Sequence, residues 1–155
     1  MDELIIKIKD RSDSLIDSLG FSGEAIVTKR DSVYFVNYII EDSPSFLIGR
    51  GGDALEALQH VVRILLRGDG IPFGYSLVVD INGYKNKKSD MLEKRAKEIA
   101  HRVRTSGVEE ILEPMNSYER RVIHTIIGNI ADVESTSTGE REDRRVVVKP
   151  KASKE

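Results

Sequence analysis

The chain of 155 residues contains no cysteine, which excludes disulfides and thiolate metal sites. Proteins of a reducing compartment do without disulfides, so we expect a cytoplasmic protein. No window of about 18 residues is apolar and uncharged, which predicts no membrane insertion. The start, Met1-Asp2-Glu3, also lacks the basic residues that open a signal peptide.

Motifs for catalysis are also missing. The three histidines, His60, His101 and His124, are scattered along the chain. The sequence contains no GxSxG nucleophile elbow, no GxxxxGK[ST] phosphate loop and no acidic or histidine cluster with metal-ligand spacing. We therefore expect no enzymatic activity, no metal, no cofactor and no small-molecule substrate.

The charge is unevenly distributed, although the net charge is only −2. Residues 1–84 contain 8 Lys/Arg against 13 Asp/Glu, and residues 85–155 contain 16 against 13. Basic clusters are typical of proteins that bind polyanions, but a solvated helix face and a charged tail give the same pattern. The two clusters are Lys85, Lys87, Lys88, Lys94, Arg95, Lys97, Arg102 and Arg104, and then Arg141, Arg144, Arg145, Lys149, Lys151 and Lys154.

Hydrophobic periodicity predicts an α+β fold in two modules, 1–84 and 85–155. Leu4, Ile6 and Ile8 lie at alternate positions, so a short strand at the start of the chain is an alternative to a helix. The predicted elements of the first module are a helix over 4–19, strands over 25–28 and 33–40, a helical turn before Gly49, a helix over 54–66 and a strand over 75–81. Those of the second module are a helix over 86–105, a strand over 108–112, a helix starting at Asn116 with Glu119 three residues on, strands over 133–138 and 145–148, and a frayed tail over 149–155.

A glycine-rich turn, Gly49-Arg50-Gly51-Gly52, stands between an apolar run and an amphipathic helix. Glycine permits positive φ and close approach of another backbone, and a helix N-terminus attracts anions. With Ala54 the turn also matches the GxGxxA dinucleotide fingerprint, which requires a strand directly before it and repeated βαβ units after it. Pro44 interrupts that approach, so we favour the GxxG loop with which KH modules hold the backbone of about four nucleotides. A purely structural turn is the other alternative.

The sequence resembles the bacterial Jag (SpoIIIJ-associated) family, in which a KH domain precedes an R-three-H domain. The segments that carry the resemblance are 47–59, 114–124 and 140–150. The resemblance implies a bacterial-type KH module at 1–84, with a three-stranded sheet and helices on one face, and a small R-three-H module at 85–155. Members of the family typically have a further N-terminal domain and two basic residues inside GxxG, where this chain has Arg50 and Gly51.

Arg120 and His124 show the Arg-x-x-x-His spacing of the second domain and lie on one helix face. Arg120 can reach a phosphate through its planar fork of donors, and His124 can donate a hydrogen bond or stack on a base. Alternatively, His124 is a half-buried helix residue that holds Arg120 or a carbonyl in place.

We therefore expect a binder of single-stranded RNA, or of single-stranded DNA, that regulates RNA metabolism linked to the cell envelope or division. A protein-interaction adaptor is the alternative, because the first half is acidic and one GxxG charge is missing; a KH-containing partner or a homodimer would then bind it. The residues expected to contact nucleic acid are Gly49, Arg50, Gly51, Gly52, Arg63, Lys85, Lys87, Lys88, Asn116, Arg120, Arg121, His124, Arg144 and Arg145.

Overall fold

The computed structural model describes residues 3–69 and 76–152. The chain forms two compact units, which divide between Lys85 and Asn86. Helices and small sheets occur in both units, so the predicted α+β class is confirmed. Asn82 and Gly83, with φ of 51° and 67°, form a turn between the last strand of the first unit and a helix that begins at Tyr84.

In the part that the structure describes, the first unit contains a three-stranded sheet and three helices. Its elements are α1 (Glu3–Ser18), β1 (Gly23–Arg30), β2 (Val33–Ile40), α2 (Pro44–Ile48), α3 (Asp53–Gly68) and β3 (Ser76–Ile81). The strand order is β1-β2-β3; the first two strands pair antiparallel as a hairpin, and β2 and β3 pair parallel. The central strand alternates between buried and half-buried positions, as expected for a sheet with one face packed under helices.

Helices α1 and α3 share one core with the buried face of this sheet. Helix α3 buries Leu55, Leu58, Val62 and Leu66, which recur every three or four residues and so form a single stripe. This packing fixes the start of α3 against the sheet, and the glycine-rich turn is attached to that start.

The second unit contains a separate three-stranded sheet with two helices. The elements are α4 (Tyr84–Ser106), whose first two residues belong to the first unit, then β4 (Glu110–Ile111), α5 (Ser117–Gly128), β5 (Val133–Thr138) and β6 (Arg145–Pro150). Strand β6 lies between β4 and β5 and pairs antiparallel with both. The core joins this sheet to helices α4 and α5 through residues such as Ile99, Ile123, Ile127 and Val146.

Most predicted elements are confirmed, and the differences are at their ends. The strand expected over 108–112 is only two residues long, Glu110–Ile111, and lies at the edge of its sheet. The last strand extends to Pro150, two residues further than predicted. Tyr75, the expected start of the third strand, and tail residues 153–155 lie outside the described residues. No helix in the described ranges has the length and apolar character needed to cross a bilayer.

Candidate nucleic-acid interface

The glycine-rich turn forms a short 3₁₀ turn, Arg50–Gly52, between α2 and α3. Gly49, Gly51 and Gly52 all have positive φ, of 74°, 62° and 99°. Gly49 also has ψ of −176°, a combination that is essentially restricted to glycine. A Cβ at Gly49 would lie 2.7 Å from both the backbone nitrogen and the Cβ of Ala54. The path of the turn therefore depends on glycine at this position.

Arg50 projects from this turn as an exposed side chain. Within the described ranges its guanidinium forms no ion pair or hydrogen bond, so its donors are free for a ligand. No side chain caps the start of α3, because Gly52 occupies the N-cap position. Asp53 and Glu56 in the first helical turn oppose an approaching phosphate and partly offset the attraction of Arg50 and the helix dipole.

Arg63 and Lys85 both lie beside strand β3, where their donors are partly used within the protein. Arg63 Nη2 donates to the carbonyl of Leu77 at 2.9 Å, and Lys85 Nζ donates to Gln59 Oε1 at 3.1 Å. Partial burial lowers the pKa of Lys85, an effect that the carboxylate of Asp80 opposes. Gln59 was not among the predicted residues, although it lies one helical turn before Arg63 on the same face of α3.

Two further predicted lysines, both in α4, have different environments. Lys87 is exposed. Lys88 Nζ lies 2.6 Å from Glu119 Oε1, and the two side chains are only 15% and 12% exposed. This ion pair links α4 to α5, so Lys88 stabilises the second unit and its charge is already neutralised.

Asn116 caps helix α5 as expected. Its side-chain oxygen accepts from the backbone N–H of Glu119 at 2.9 Å, and Glu119 Oε2 accepts from the backbone N–H of Asn116 at 3.0 Å. This reciprocal capping box fixes the start of the helix. Arg120, the next residue, is half-buried, and its Nη1 donates to the carbonyl of Met115 at 2.6 Å.

His124 is half-buried between α5 and β5. Its Nδ1 lies 2.7 Å from Ser135 Oγ, and its Nε2 lies 2.7 Å from Ser137 Oγ. Burial lowers the pKa of His124, and the nearby guanidinium groups of Arg120 and Arg144 lower it further. His124 is therefore neutral at pH 7 and connects the helix to the strand. It is half-buried, as in the alternative interpretation, but its partners are serines of β5 rather than Arg120 or a carbonyl.

Neither serine was predicted, although the alternation of Ser135 and Ser137 along β5 places both hydroxyls on one side of that strand. The fold thus brings Arg120, His124 and Arg144 together in the second unit. Met115 links the two arginines through its backbone, because its N–H donates to the carbonyl of Arg144 and its carbonyl accepts from Arg120. We call Arg120, His124 and Arg144 the arginine–histidine cluster.

Two other predicted arginines are outside this set of contacts. Arg121 is exposed on α5, and Arg145 Nε donates to the backbone carbonyl of Asp143 at 3.1 Å. Several cations of α4, in contrast, are paired with glutamates. These pairs are Lys97 with Glu93 at 2.6 Å, Arg102 with Glu110 at 2.6 Å and Arg95 with Glu113 at 3.6 Å.

The chain is similar to known proteins from several bacteria. The "RNA-binding protein KhpB" of Clostridium symbiosum is 34% identical over 107 residues, which cover 69% of this chain and 48% of the relative. The protein of the same name from Bacillus subtilis is 31% identical over 134 residues, which cover 84% of this chain and 64% of that protein.

The KhpB protein of Lactiplantibacillus plantarum is 31% identical over 102 residues, or 66% of this chain and 31% of the relative. The chain thus spans between about a third and two thirds of the length of these relatives. A family model also matches the region that holds α5, the arginine–histidine cluster and the second sheet, and on this basis residues 90–150 of the chain are an R-three-H domain.

Proposed function

We propose that this protein binds single-stranded RNA through the arginine–histidine cluster of its R-three-H domain and through the glycine-rich turn of its first unit. The observation that carries the proposal is the contrast between two groups of cations. Arg120 and Arg144 form no ion pair among the described residues, whereas several cations of α4 are paired with glutamates. Unpaired guanidinium groups that lie close together suit the oxygens of a phosphate backbone.

We further propose that the chain belongs to the Jag family and that its first unit is a KH domain. The order α-β-β-α-α-β, with the glycine-rich turn between α2 and α3, supports this assignment. The likeness to the Bacillus subtilis protein covers 84% of the chain, so it must include part of the first unit. Glycine at Gly49, Gly51 and Gly52 lets a nucleic-acid backbone approach closely, and Arg50 supplies a charge beside it.

In this mechanism most of the binding free energy comes from phosphate contacts, and His124 acts as a brace that positions the helix carrying Arg120. Single-stranded DNA offers the same phosphates, so discrimination between RNA and DNA depends on contacts to the sugar. The proposed cellular role is regulation of RNA metabolism linked to the cell envelope or division, in the cytoplasm where bacterial transcripts are found. A KH-containing protein or a second copy of this chain is the proposed protein partner.

A protein-interaction adaptor is a second candidate, because α3 carries exposed apolar side chains. Val61, Ile64 and Leu65 are 42%, 53% and 43% exposed. Residues of this kind on one helix suit a protein partner. Leu65→Lys separates the two candidates. If the protein is an adaptor, this variant loses affinity for its protein partner, while its affinity for RNA is unchanged.

The proposed site is tested by fluorescence anisotropy with a short labelled single-stranded RNA. We expect Arg120→Gln with Arg144→Gln to weaken binding about tenfold or more, because each charge-assisted hydrogen bond contributes about 1.5–3 kcal/mol. The matched control is Lys97→Gln with Arg102→Gln, which removes the same charge from ion-paired positions and should change affinity little. Equal losses in both variants would show that the cluster has no special role.

A further inference from the structure

Strand β3 lies at the edge of its sheet, yet its outer backbone is covered. Leu77 and Val79 are 7% and 0% exposed. Two side chains of α3 cap this edge: Gln59 Oε1 accepts from the N–H of Val79 at 2.9 Å, and Arg63 Nη2 donates to the carbonyl of Leu77 at 2.9 Å. Side chains of α3 thus take the place of a further strand.

These contacts fix the orientation of the Gln59 amide. Its oxygen accepts from Lys85 Nζ as well as from Val79. An amide NH₂ group cannot accept a hydrogen bond, so an atom that receives two donors must be the oxygen. The NH₂ group has no partner among the described residues, and it is not one of their fully buried side-chain atoms that lack a hydrogen bond. Among the described residues, the NH₂ group of half-buried Gln59 therefore keeps two N–H donors for a ligand.

The remaining polar groups at this position are also donors. Arg63 has five N–H groups and no acceptor, and the ammonium of Lys85 has three N–H groups and no acceptor. Of the two nearby carboxylates, Asp80 Oδ1 accepts from the backbone N–H groups of Ile81 and Lys85, whereas Glu56 is exposed one helical turn closer to the glycine-rich turn. At Gln59, Arg63 and Lys85 the surface between α3 and β3 thus offers mainly donors.

We infer that Gln59 and Arg63 favour uracil and guanine, which have a carbonyl at C4 and C6, over cytosine and adenine, which have an amino group at those positions. The inference rests on the proposed RNA binding by the first unit. In this binding mode an RNA held at Gly49–Gly52 would run along α3, which begins directly after the turn, past these side chains. An amino group placed against them would leave donors facing donors, whereas a carbonyl would accept from them.

The test compares the affinities of the full chain for short oligo(U) and oligo(C) of equal length. The two RNAs carry the same backbone charge, so the ratio of their dissociation constants reports on the bases. We expect oligo(U) to bind about three- to tenfold more tightly than oligo(C), because one or two additional hydrogen bonds contribute a difference of this size. In Gln59→Glu one carboxylate oxygen can keep the contacts to Val79 and Lys85, while the other replaces the NH₂ donor with an acceptor. The preference should then disappear or reverse.

The matched control is His60→Glu, which adds the same charge at an exposed neighbouring position of α3. This variant should weaken both RNAs equally and leave their ratio unchanged. RNA binding without a preference for oligo(U), or a preference that survives Gln59→Glu, would overturn the inference and leave the proposed function standing. Failure of the wild-type chain to bind either RNA would overturn both.

Discussion

At the scale of the residue, the backbone of Gly49 and the ring of His124 constrain the two proposed contact regions. Gly49 adopts φ and ψ values that side chains rarely tolerate, and Ala54 closes the space beside it. His124 uses both ring nitrogens in contacts with serines of β5. Gly49 directly precedes Arg50 in the turn, and His124 lies one helical turn after Arg120 in α5.

Gly49→Ala should lower the free energy of unfolding by about 1–3 kcal/mol, because alanine is strained at this positive φ and its Cβ would clash with Ala54. Chemical denaturation measures the change. Gly68→Ala is the control: a Cβ there meets nothing within 4 Å, and its φ is not positive. Equal stability of the two variants would show that Gly49 does not require glycine.

His124 should make stability depend on pH. Its pKa is lowered in the folded protein and lies near the ordinary value of about 6.5 in the unfolded chain. At pH values between the folded and the unfolded pKa, the unfolded chain binds more protons than the folded protein. The contribution of His124 to stability is therefore complete above about pH 6.5 and is lost as the pH falls through the folded pKa. NMR titration of the ring, and denaturation at neutral and mildly acidic pH, measure this.

The control for this pH dependence is His124→Gln, which should lose less stability than the wild type over the same acidification. His60→Gln changes an exposed histidine and should behave like the wild type. A His124 ring that titrates above the ordinary value would contradict the account.

At the scale of the element, the start of α5 determines where Arg120 lies. Glu119 has two roles there: Oε2 accepts from the N–H of Asn116 in the capping box, and Oε1 pairs with Lys88 of α4. The backbone N–H of Arg120 donates to the carbonyl of Asn116 as the helix begins. The cap therefore connects helix stability with the position of the cluster.

Asn116→Ala should destabilise the second unit by about 1 kcal/mol, the usual cost of losing an N-cap side chain. Denaturation followed by circular dichroism measures it. Ser117→Ala, at the exposed next position, serves as control and should change stability little. An unchanged stability in Asn116→Ala would mean that the capping box contributes nothing to this helix.

Elements with a local signal were predictable from the sequence, and contacts between distant residues were not. Apolar spacing identified α1 and α3, and the Asn116–Glu119 pattern identified the start of α5. The two-residue strand β4 was overestimated, because its neighbours have strand-like side chains but only Glu110–Ile111 form its ladder.

The candidate site shows the same division. The spacing of Arg120 and His124 predicted that they share a helix face. The partners of His124 come from β5, and Lys88 pairs with a residue 31 positions away, so only the tertiary fold reveals them. Gln59 was missed because its contacts to β3 depend on how α3 packs.

At the scale of the whole molecule, acidic and basic residues are unevenly distributed along the chain but nearly balance in number. The net charge is −2, with the excess of Lys/Arg in residues 85–155. Attraction to a polyanion must therefore come from local groups such as Arg50 and the arginine–histidine cluster. Such contacts release counterions when they form, so their contribution depends on salt.

Affinity for single-stranded RNA should fall as salt rises from about 50 mM to about 200 mM, with a logarithmic slope of about −0.7 per phosphate contact. The slope should be shallower in Arg120→Gln with Arg144→Gln and unchanged in Lys97→Gln with Arg102→Gln. Anisotropy titrations at several salt concentrations give the slope. A flat dependence in the wild type would contradict binding through phosphates.

The most direct test of RNA binding at these two surfaces is an NMR titration of the isotope-labelled 17.4 kDa chain with a short single-stranded RNA. We predict that the largest amide shifts occur at Gly49–Asp53 and around the arginine–histidine cluster, including Met115 and Arg145. Amides of Val61 and Leu65 should change little. Shifts confined to that apolar face of α3, or a spectrum that RNA leaves unchanged, would contradict the account.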